Sequence, residues 1–235
     1  MTDRIEPHSL LEFQINDLSV KQSVKDLVSS IYKAHSIQQL NEYTENNPYH
    51  SHENVLEHIQ TVFSNLLNLL QFDFVLDDSL RTALLQYMNR KVDPYGALSR
   101  KELLLIACSL HDIGKATQLV VIDDQGNTKA PGHEHASASI VPIMLDQANS
   151  TLTDTEISLI QLLVDRHDTY SEGYLSTHLT FDISKDMSII RSTQPQFYIE
   201  LMLHILADNY GAEIYKKYDT YLKEQLFNSP ELLVH

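Results

Sequence analysis

The chain has one cysteine, no tryptophan, 6 glycines and 7 prolines in 235 residues, and its 17 Lys and Arg are outnumbered by 32 Asp and Glu. Each shortage excludes something. The lone Cys108 cannot close an internal disulfide, which rules out a disulfide-stapled secreted domain; within the apolar run 103–110 it reads as a small buried hydrophobe. No apolar stretch approaches the roughly 18 residues of a membrane span. The N-terminus, MTDRIEPHSL, carries acids where a signal peptide needs a cationic start and an apolar core. The sequence therefore reads as a soluble, cytoplasmic protein with no membrane partner. A formal charge of −15 leaves no broad basic surface for duplex DNA, although a small cationic pocket can still receive a phosphate. With 43% hydrophobic residues the chain can bury a sizeable core, so disorder is excluded as well.

So little glycine and proline leaves long segments in which apolar residues recur at three-and-four spacing, the helical period. Val20, Val24, Leu27, Val28 and Ile31 mark a first amphipathic helix, ending before the polar stretch 41–48. A second is predicted over residues 51–72, with Val55, Leu56, Ile59, Val62, Phe63, Leu66, Leu67 and Leu70 on one face, and a shorter one over 79–90. Ser99 and Glu102 form a capping-box pattern ahead of LLLIACSL. That helix should begin near Arg100 and stop near Gly114, with His111 and Asp112 in its last turn. The segment 120–129 reads as a hairpin or a plain loop. Pro131-Gly132 opens a helix to about residue 148, and Thr153 with Glu156 starts another that leads to His167. A last helix or kinked pair covers 196–227, interrupted near Gly211. No linker, repeat or low-complexity tract divides the chain, which reads as one helical domain with residues 1–47 as an added cap or arm.

Twelve histidines are the unusual abundance. His111 and Asp112 adjoin at the end of an apolar helix, and an imidazole beside a carboxylate suits a divalent metal that takes nitrogen and oxygen ligands together. Other isolated polar residues sit on apolar helices: His58 in VLEHIQTVF and Asp208 in LMLHILADNYG. A buried, unpaired carboxylate costs several kcal/mol, so Asp208 needs a cation or a hydrogen-bond network to face.

The series His58, HDIGK at 111–115, and Asp208 resembles the HD superfamily of metal-dependent phosphohydrolases, over roughly residues 48–212. The wording of YHSHENVLEHIQTV at 49–62, GHEHASA at 132–138 and VDRHD at 164–168 is similar to one branch, the HD domain attached to bacterial tRNA nucleotidyltransferases. Residues 1–47 offer nothing that could supply the nucleotidyltransferase domain itself. The resemblance implies an all-α fold, a single HD-domain helical bundle over 48–227, with an N-terminal helical extension over 1–47 and a C-terminal tail over 228–235.

It also implies a site. His58, His111, Asp112 and Asp208 match the family's four-ligand set, and His133 and His167 match the two further histidines of members that hold two metals. His58 is preferred to His50 or His52 as first ligand because the family motif places an aliphatic residue four positions on. Val62 fits; His50 is followed there by Asn54. The cofactor implied is one or two divalent ions, Mn, Ni, Mg, Fe or Zn. Asp112 would bridge two ions and orient the attacking water, with Lys115 and, less centrally, Arg166 reaching a phosphate oxygen. The alternative readings are a surface residue near a helix N-terminus for His133 and a helix C-terminal cap for His167. His204, four residues before Asp208, is either a partner behind the ligands or a packed core residue. His135 falls on the far side of its helix from His133 and is left out.

The activity expected is hydrolysis of a nucleotide or related small phosphoester, with 2′,3′-cyclic phosphodiesterase, 2′-nucleotidase or phosphatase action suggested by the branch resembled. The partner is then a small-molecule phosphoester, an RNA end being a further option. Two rivals stay open: a di-iron oxygenase using the same six ligands, and a non-catalytic nucleotide-binding module.

Overall fold

In the computed structural model, which describes residues 20–47, 51–168, 191–193 and 195–209, the regular elements are helices apart from two short hairpins. α1 (Gln22–Lys33) and the short α2 (His35–Gln38) lead through a 3-10 turn into β1 (Thr44–Asn46), which pairs antiparallel with β2 (Ser51–Asn54). α3 (Val55–Leu69), α4 (Asp78–Met88), α5 (Arg100–Leu110) and α6 (Lys115–Gln118) follow. The hairpin β3 (Val120–Val121) and β4 (Thr128–Lys129) comes next, then α7 (His133–Gln147), α8 (Asp154–Arg166) and α9 (Tyr198–Asn209). The fold is all-α, as the sequence predicts. No helix among the described residues is long and apolar enough to cross a membrane.

α5 is the centre of the bundle. The Ser99–Glu102 capping box starts it, each side chain accepting from the other residue's backbone N–H. Every residue from Leu103 to Leu110 is buried, because a helix apolar on all sides can be satisfied only by neighbours all round it. Those neighbours are α1, α3, α4, α8 and α9. Its one interior hydroxyl, Ser109, turns back to Leu105 O at 2.9 Å. The cross-link that sets α9 against it is a buried ion pair: Arg100 Nη1 lies 2.5 Å from Glu200 Oε1 and 2.7 Å from the Tyr87 hydroxyl. Burial pushes the Glu200 carboxyl up, and the Arg100 guanidinium opposes that.

Several boundaries differ from the sequence reading. The helix expected over 51–72 begins at Val55, because Asn54 and Glu57 form a capping box and residues 51–54 extend to pair with β1. The helix expected to run to Gly114 stops at Leu110, with His111 as its cap. Asp112 then lies in the turn beyond it, and a separate short helix, α6, starts at Lys115. Residues 120–129 form the hairpin rather than a plain loop. α1 is not an appended arm: Val24, Val28 and Ile31 belong to the same core as α5, and Lys21 N donates to Glu102 Oε1 at 3.0 Å. A domain boundary at residues 47–48 would cut through the first hairpin. The continuation of the last helix to 227, its interruption at Gly211, the tail 228–235 and residues 1–19 lie outside the described residues.

Two glycines set the geometry around His111. Gly132 is left-handed, φ +72°, and reverses the chain just ahead of α7. Gly114 has ordinary helical torsions but no room: a Cβ there would lie 2.4 Å from His133 O and 2.5 Å from Ser137 N. Its own N–H donates to Ser137 Oγ at 2.8 Å. The His111-Asp112 turn can lie against the start of α7 only if position 114 has no side chain. Gly114→Ala, although it raises helix propensity, should therefore destabilise the protein by about 1–3 kcal/mol through overpacking. Denaturant unfolding checks this, and an unchanged midpoint would contradict it.

Candidate metal centre

A helix C-terminus leaves its last carbonyls without intrahelical partners, and ahead of α7 the Ala130 carbonyl, which accepts from His133 N at 3.2 Å, has a second lone pair to offer. Three histidines exploit this. His111 Nδ1 lies 2.8 Å from Cys108 O, His167 Nδ1 lies 2.6 Å from Val164 O, and His133 Nδ1 lies 2.8 Å from Ala130 O. Each Nδ1–H donates to the carbonyl three residues back, so each Nε2 is the nitrogen left to face inward. His58, inside α3, does the same with a side chain: its Nδ1 is 3.4 Å from Glu53 Oε2.

The four Nε2 atoms meet the carboxylate of Asp112, which is 1% exposed. Oδ2 lies 3.3 Å from His111 Nε2 and 3.4 Å from His58 Nε2. Oδ1 lies 3.1 Å from His133 Nε2 and 3.5 Å from His167 Nε2. Asp208 joins the first pair, its Oδ1 2.9 Å from His58 Nε2 and 3.7 Å from His111 Nε2. One carboxylate thus separates two groups, His58, His111 and Asp208 on one oxygen and His133 and His167 on the other. Both Asp112 oxygens and His111 Nε2 are buried without an aligned hydrogen bond among the described residues, despite these short distances. Atoms that approach one another closely without aligning as donor and acceptor are arranged as ligands of a common ion are. His58, His111 and Asp112, and separately Asp112, His133 and His167, each bring three donor atoms near enough to hold a metal.

Charge is balanced by proximity. Burial opposes a proton on His58, but the Asp208 and Glu53 carboxylates outweigh it and push the imidazole up to about 10. Burial opposes His111 too, and Asp112 and Asp208 raise it to about 9. Burial likewise works against charge on Asp112 and Asp208, yet the neighbouring histidines, with Lys115 beside Asp112, hold both carboxyls well below the usual range. Lys115 is buried with Nζ 2.8 Å from Asp112 Oδ2 and 2.8 Å from Glu45 Oε2, and the two carboxylates hold its pKa above the ordinary lysine value against burial. His167 is the exception, kept neutral by burial.

The structure brings together six of the residues singled out in the sequence as ligands, with Lys115 beside them. Arg166 is different: its side chain is 52% exposed, turned to the surface with Nε 3.2 Å from Asp165 Oδ2. His135 also goes to Asp165, at 2.5 Å, and is exposed. His204 is fully buried, its ring edge-on to His111 and stacked on His167. Neither of its nitrogens has a hydrogen bond among the described residues, and burial with its imidazole neighbours keeps it neutral. His50 and the His52 side chain lie outside the described residues. Four carboxylates escaped the sequence reading, Glu53 beside His58 among them. Asp168 and Glu134 stand with His133 in a third group of possible donors, and burial raises Asp168 to about 7. The signal for Asp168 was present, since VDRHD repeats the His-Asp pair. Glu45, in a featureless polar stretch, gave none.

A central apolar helix ending in His-Asp, with a histidine from each of three other helical segments and an aspartate from a fourth gathered on it, defines an HD-type helical domain. The chain belongs to this family: the HD domain model matches residues 75–213. The match takes in His111, Asp112, Lys115, His133, His167 and Asp208 but begins after His58, whose place in the site rests on the geometry above. Among curated proteins none matches the chain. Members of the family are in general metal-dependent hydrolases, and the buried His and Asp clusters could hold a divalent ion.

The protons on His58 and His111 make the metal-free protein sensitive to pH in a defined direction. A pKa raised by folding stabilises below the unfolded value and stops doing so as pH climbs through the folded one. Between about 6.5 and about 10 the metal-stripped protein should therefore lose stability as pH rises. Thermal unfolding of the stripped protein at several pH values in that window checks it, and a melting temperature that rises with pH would refute it.

Proposed function

We propose that the protein is a metal-dependent phosphohydrolase acting on a nucleotide or related small phosphoester. The observation that carries this is the division of four inward Nε2 atoms between the two oxygens of Asp112, with a buried ammonium against the same carboxylate. In this reading His58, His111, Asp112 and Asp208 hold one divalent ion, and Asp112, His133 and His167 hold a second. A divalent ion bound there acidifies water to a nucleophile near neutral pH and draws off charge developing on a phosphoryl group. Asp112, whose two oxygens face the two groups of histidines, would contribute to both positions and orient the water. Lys115 donates to Glu45 and is ion-paired with Asp112, and its ammonium has three N–H groups, so one would be left for a non-bridging phosphate oxygen. Arg166, exposed and engaged by Asp165, serves at most to draw an anion toward the site. A donor set rich in imidazole favours Fe, Ni or Zn over Mg.

For the substrate, the likeness of residues 49–62, 132–138 and 164–168 to the nucleotidyltransferase-linked HD branch supports a 2′,3′-cyclic nucleotide, a 2′-nucleotide or a simple phosphomonoester. The acidic composition supports a small molecule or an RNA end, met in the cytoplasm, over duplex DNA or a membrane. The same six-ligand arrangement also fits a di-iron oxygenase, for which iron retained through aerobic purification and oxygen-dependent turnover would be diagnostic. Nucleotide-dependent thermal stabilisation with no product formed would instead mark a binding module.

The direct test is phosphate release from metal-stripped protein with Mn²⁺, Ni²⁺, Mg²⁺ or Fe²⁺ added back, across 2′,3′-cyclic nucleotides, nucleoside mono- and triphosphates and p-nitrophenyl phosphates. Metal-dependent turnover absent from Asp112→Ala is the expected result; no turnover with any metal would overturn the proposal. Bound metal, counted by elemental analysis, separates the two positions. His58→Ala, His111→Ala and Asp208→Ala should each abolish retention, and His167→Ala should lose one of two ions. Full metal and activity in His58→Ala would remove His58 from the set.

A further inference from the structure

His58 is the one imidazole of the centre that its own chain segment cannot orient. His111, His133 and His167 stand at helix ends, where the carbonyl three residues back is available to Nδ1. His58 is the fourth residue of α3, and the carbonyls beneath it are consumed by the helix. The acceptor it faces is Glu53 Oε2 on β2, 3.4 Å from Nδ1, while Thr61 Oγ1 donates to Glu53 Oε1 at 3.4 Å.

Glu53 lies directly across the ladder from Glu45 on β1, so the two carboxylates leave the hairpin on one face. Like charges in that relation destabilise a strand pair. Each is answered from outside the hairpin by a residue of the centre: Glu53 by His58, and Glu45 by Lys115 at 2.8 Å. The hairpin is itself held in place. Val55 N donates to Tyr43 O at 2.9 Å, and Asn46 N donates to Thr128 Oγ1 at 2.9 Å, tying it to α3 and to the second hairpin.

Resting on the metal-site reading above, we propose that the β1–β2 hairpin, which precedes the matched HD region, is a positioning element of the centre. Glu53 holds His58 with Nε2 inward, and Glu45 holds Lys115 so that it does not fall wholly onto Asp112. A carboxylate accepting Nδ1–H fixes the tautomer of a ligating histidine and raises the basicity of the other nitrogen. A Lys115 released by Glu45 would compete with an ion for Asp112 Oδ2. The two acids therefore burden the hairpin and serve the site.

The test is a Co²⁺ titration of the metal-stripped full chain, followed by the visible absorption of the bound ion, in the unmodified protein, Glu53→Gln and Glu45→Gln. Glu53→Gln should weaken Co²⁺ binding by about 10- to 100-fold and change the absorption spectrum, which a purely structural role would leave alone. Glu45→Gln should weaken binding by less. Unchanged Co²⁺ affinity and spectrum in Glu53→Gln overturn the proposal while leaving the metal site intact. Failure of the unmodified protein to bind Co²⁺ overturns the metal reading and the proposal with it. If Glu53→Gln does not fold, Glu45→Gln carries the test alone, and unchanged affinity there overturns it.

Discussion

A carboxylate with 1% of its surface exposed, Asp112, is the constraint on which the rest of the structure depends. An isolated charge in that position would be untenable, and a single partner would neutralise it without explaining why so many elements converge there. Its two oxygens instead divide the site, and each is met by nitrogen from different parts of the chain. The turn after α5 supplies the carboxylate, α3, the first residue of α7 and the end of α8 supply imidazoles, and α9 supplies the second aspartate. The bundle can be read as the means of bringing five chain segments to one carboxylate.

What makes that convergence orderly is the helix terminus. A histidine at the end of a helix finds an unused carbonyl three residues back, and donating Nδ1–H to it fixes both the tautomer and the direction of Nε2. The same device serves His111 and His167 at helix C-termini and His133 just after the Gly132 reversal. Each of these three histidines is thus oriented by a carbonyl of its own chain segment. Gly114 then permits the closest approach, His133 O standing where a side chain would otherwise be.

The parts legible in the sequence are those written in short-range pattern. The Ser99–Glu102 and Thr153–Glu156 boxes marked two helix starts, and isolated polar residues on apolar helices marked His58, His111, Asp112 and Asp208, which the fold brings together. The parts missed depend on tertiary placement. Residues 51–54 read as part of the helix although the apolar pattern begins only at Val55, and pairing with the nearby segment 44–46 makes them a strand. Arg166 is the weaker phosphate candidate in the sequence because its neighbour His167 points into the site; adjacent helical residues point about 100° apart, and the Arg166 side chain lies at the surface beside Asp165. Glu45 had no pattern to belong to; its meaning lies wholly in where β1 lands.

The centre also ties the protein's stability to what occupies it. Without an ion, protons on His58 and His111 supply the positive charge that Asp112 and Asp208 require, which is why these imidazoles are pushed up and the carboxyls down together. An ion bound there replaces those protons, so metal binding and proton release are one event, and affinity must fall as the medium becomes acidic. The neutral histidines complete the balance: His167 and His204, stacked beside the charged pair, are kept uncharged by burial and by their neighbours. Were all of the imidazoles protonated, their mutual repulsion would work against the packing of α5 on α8 and α9. A cluster of this kind holds together through a limited positive charge shared between two buried carboxylates, a charge that a divalent ion could supply at a defined point.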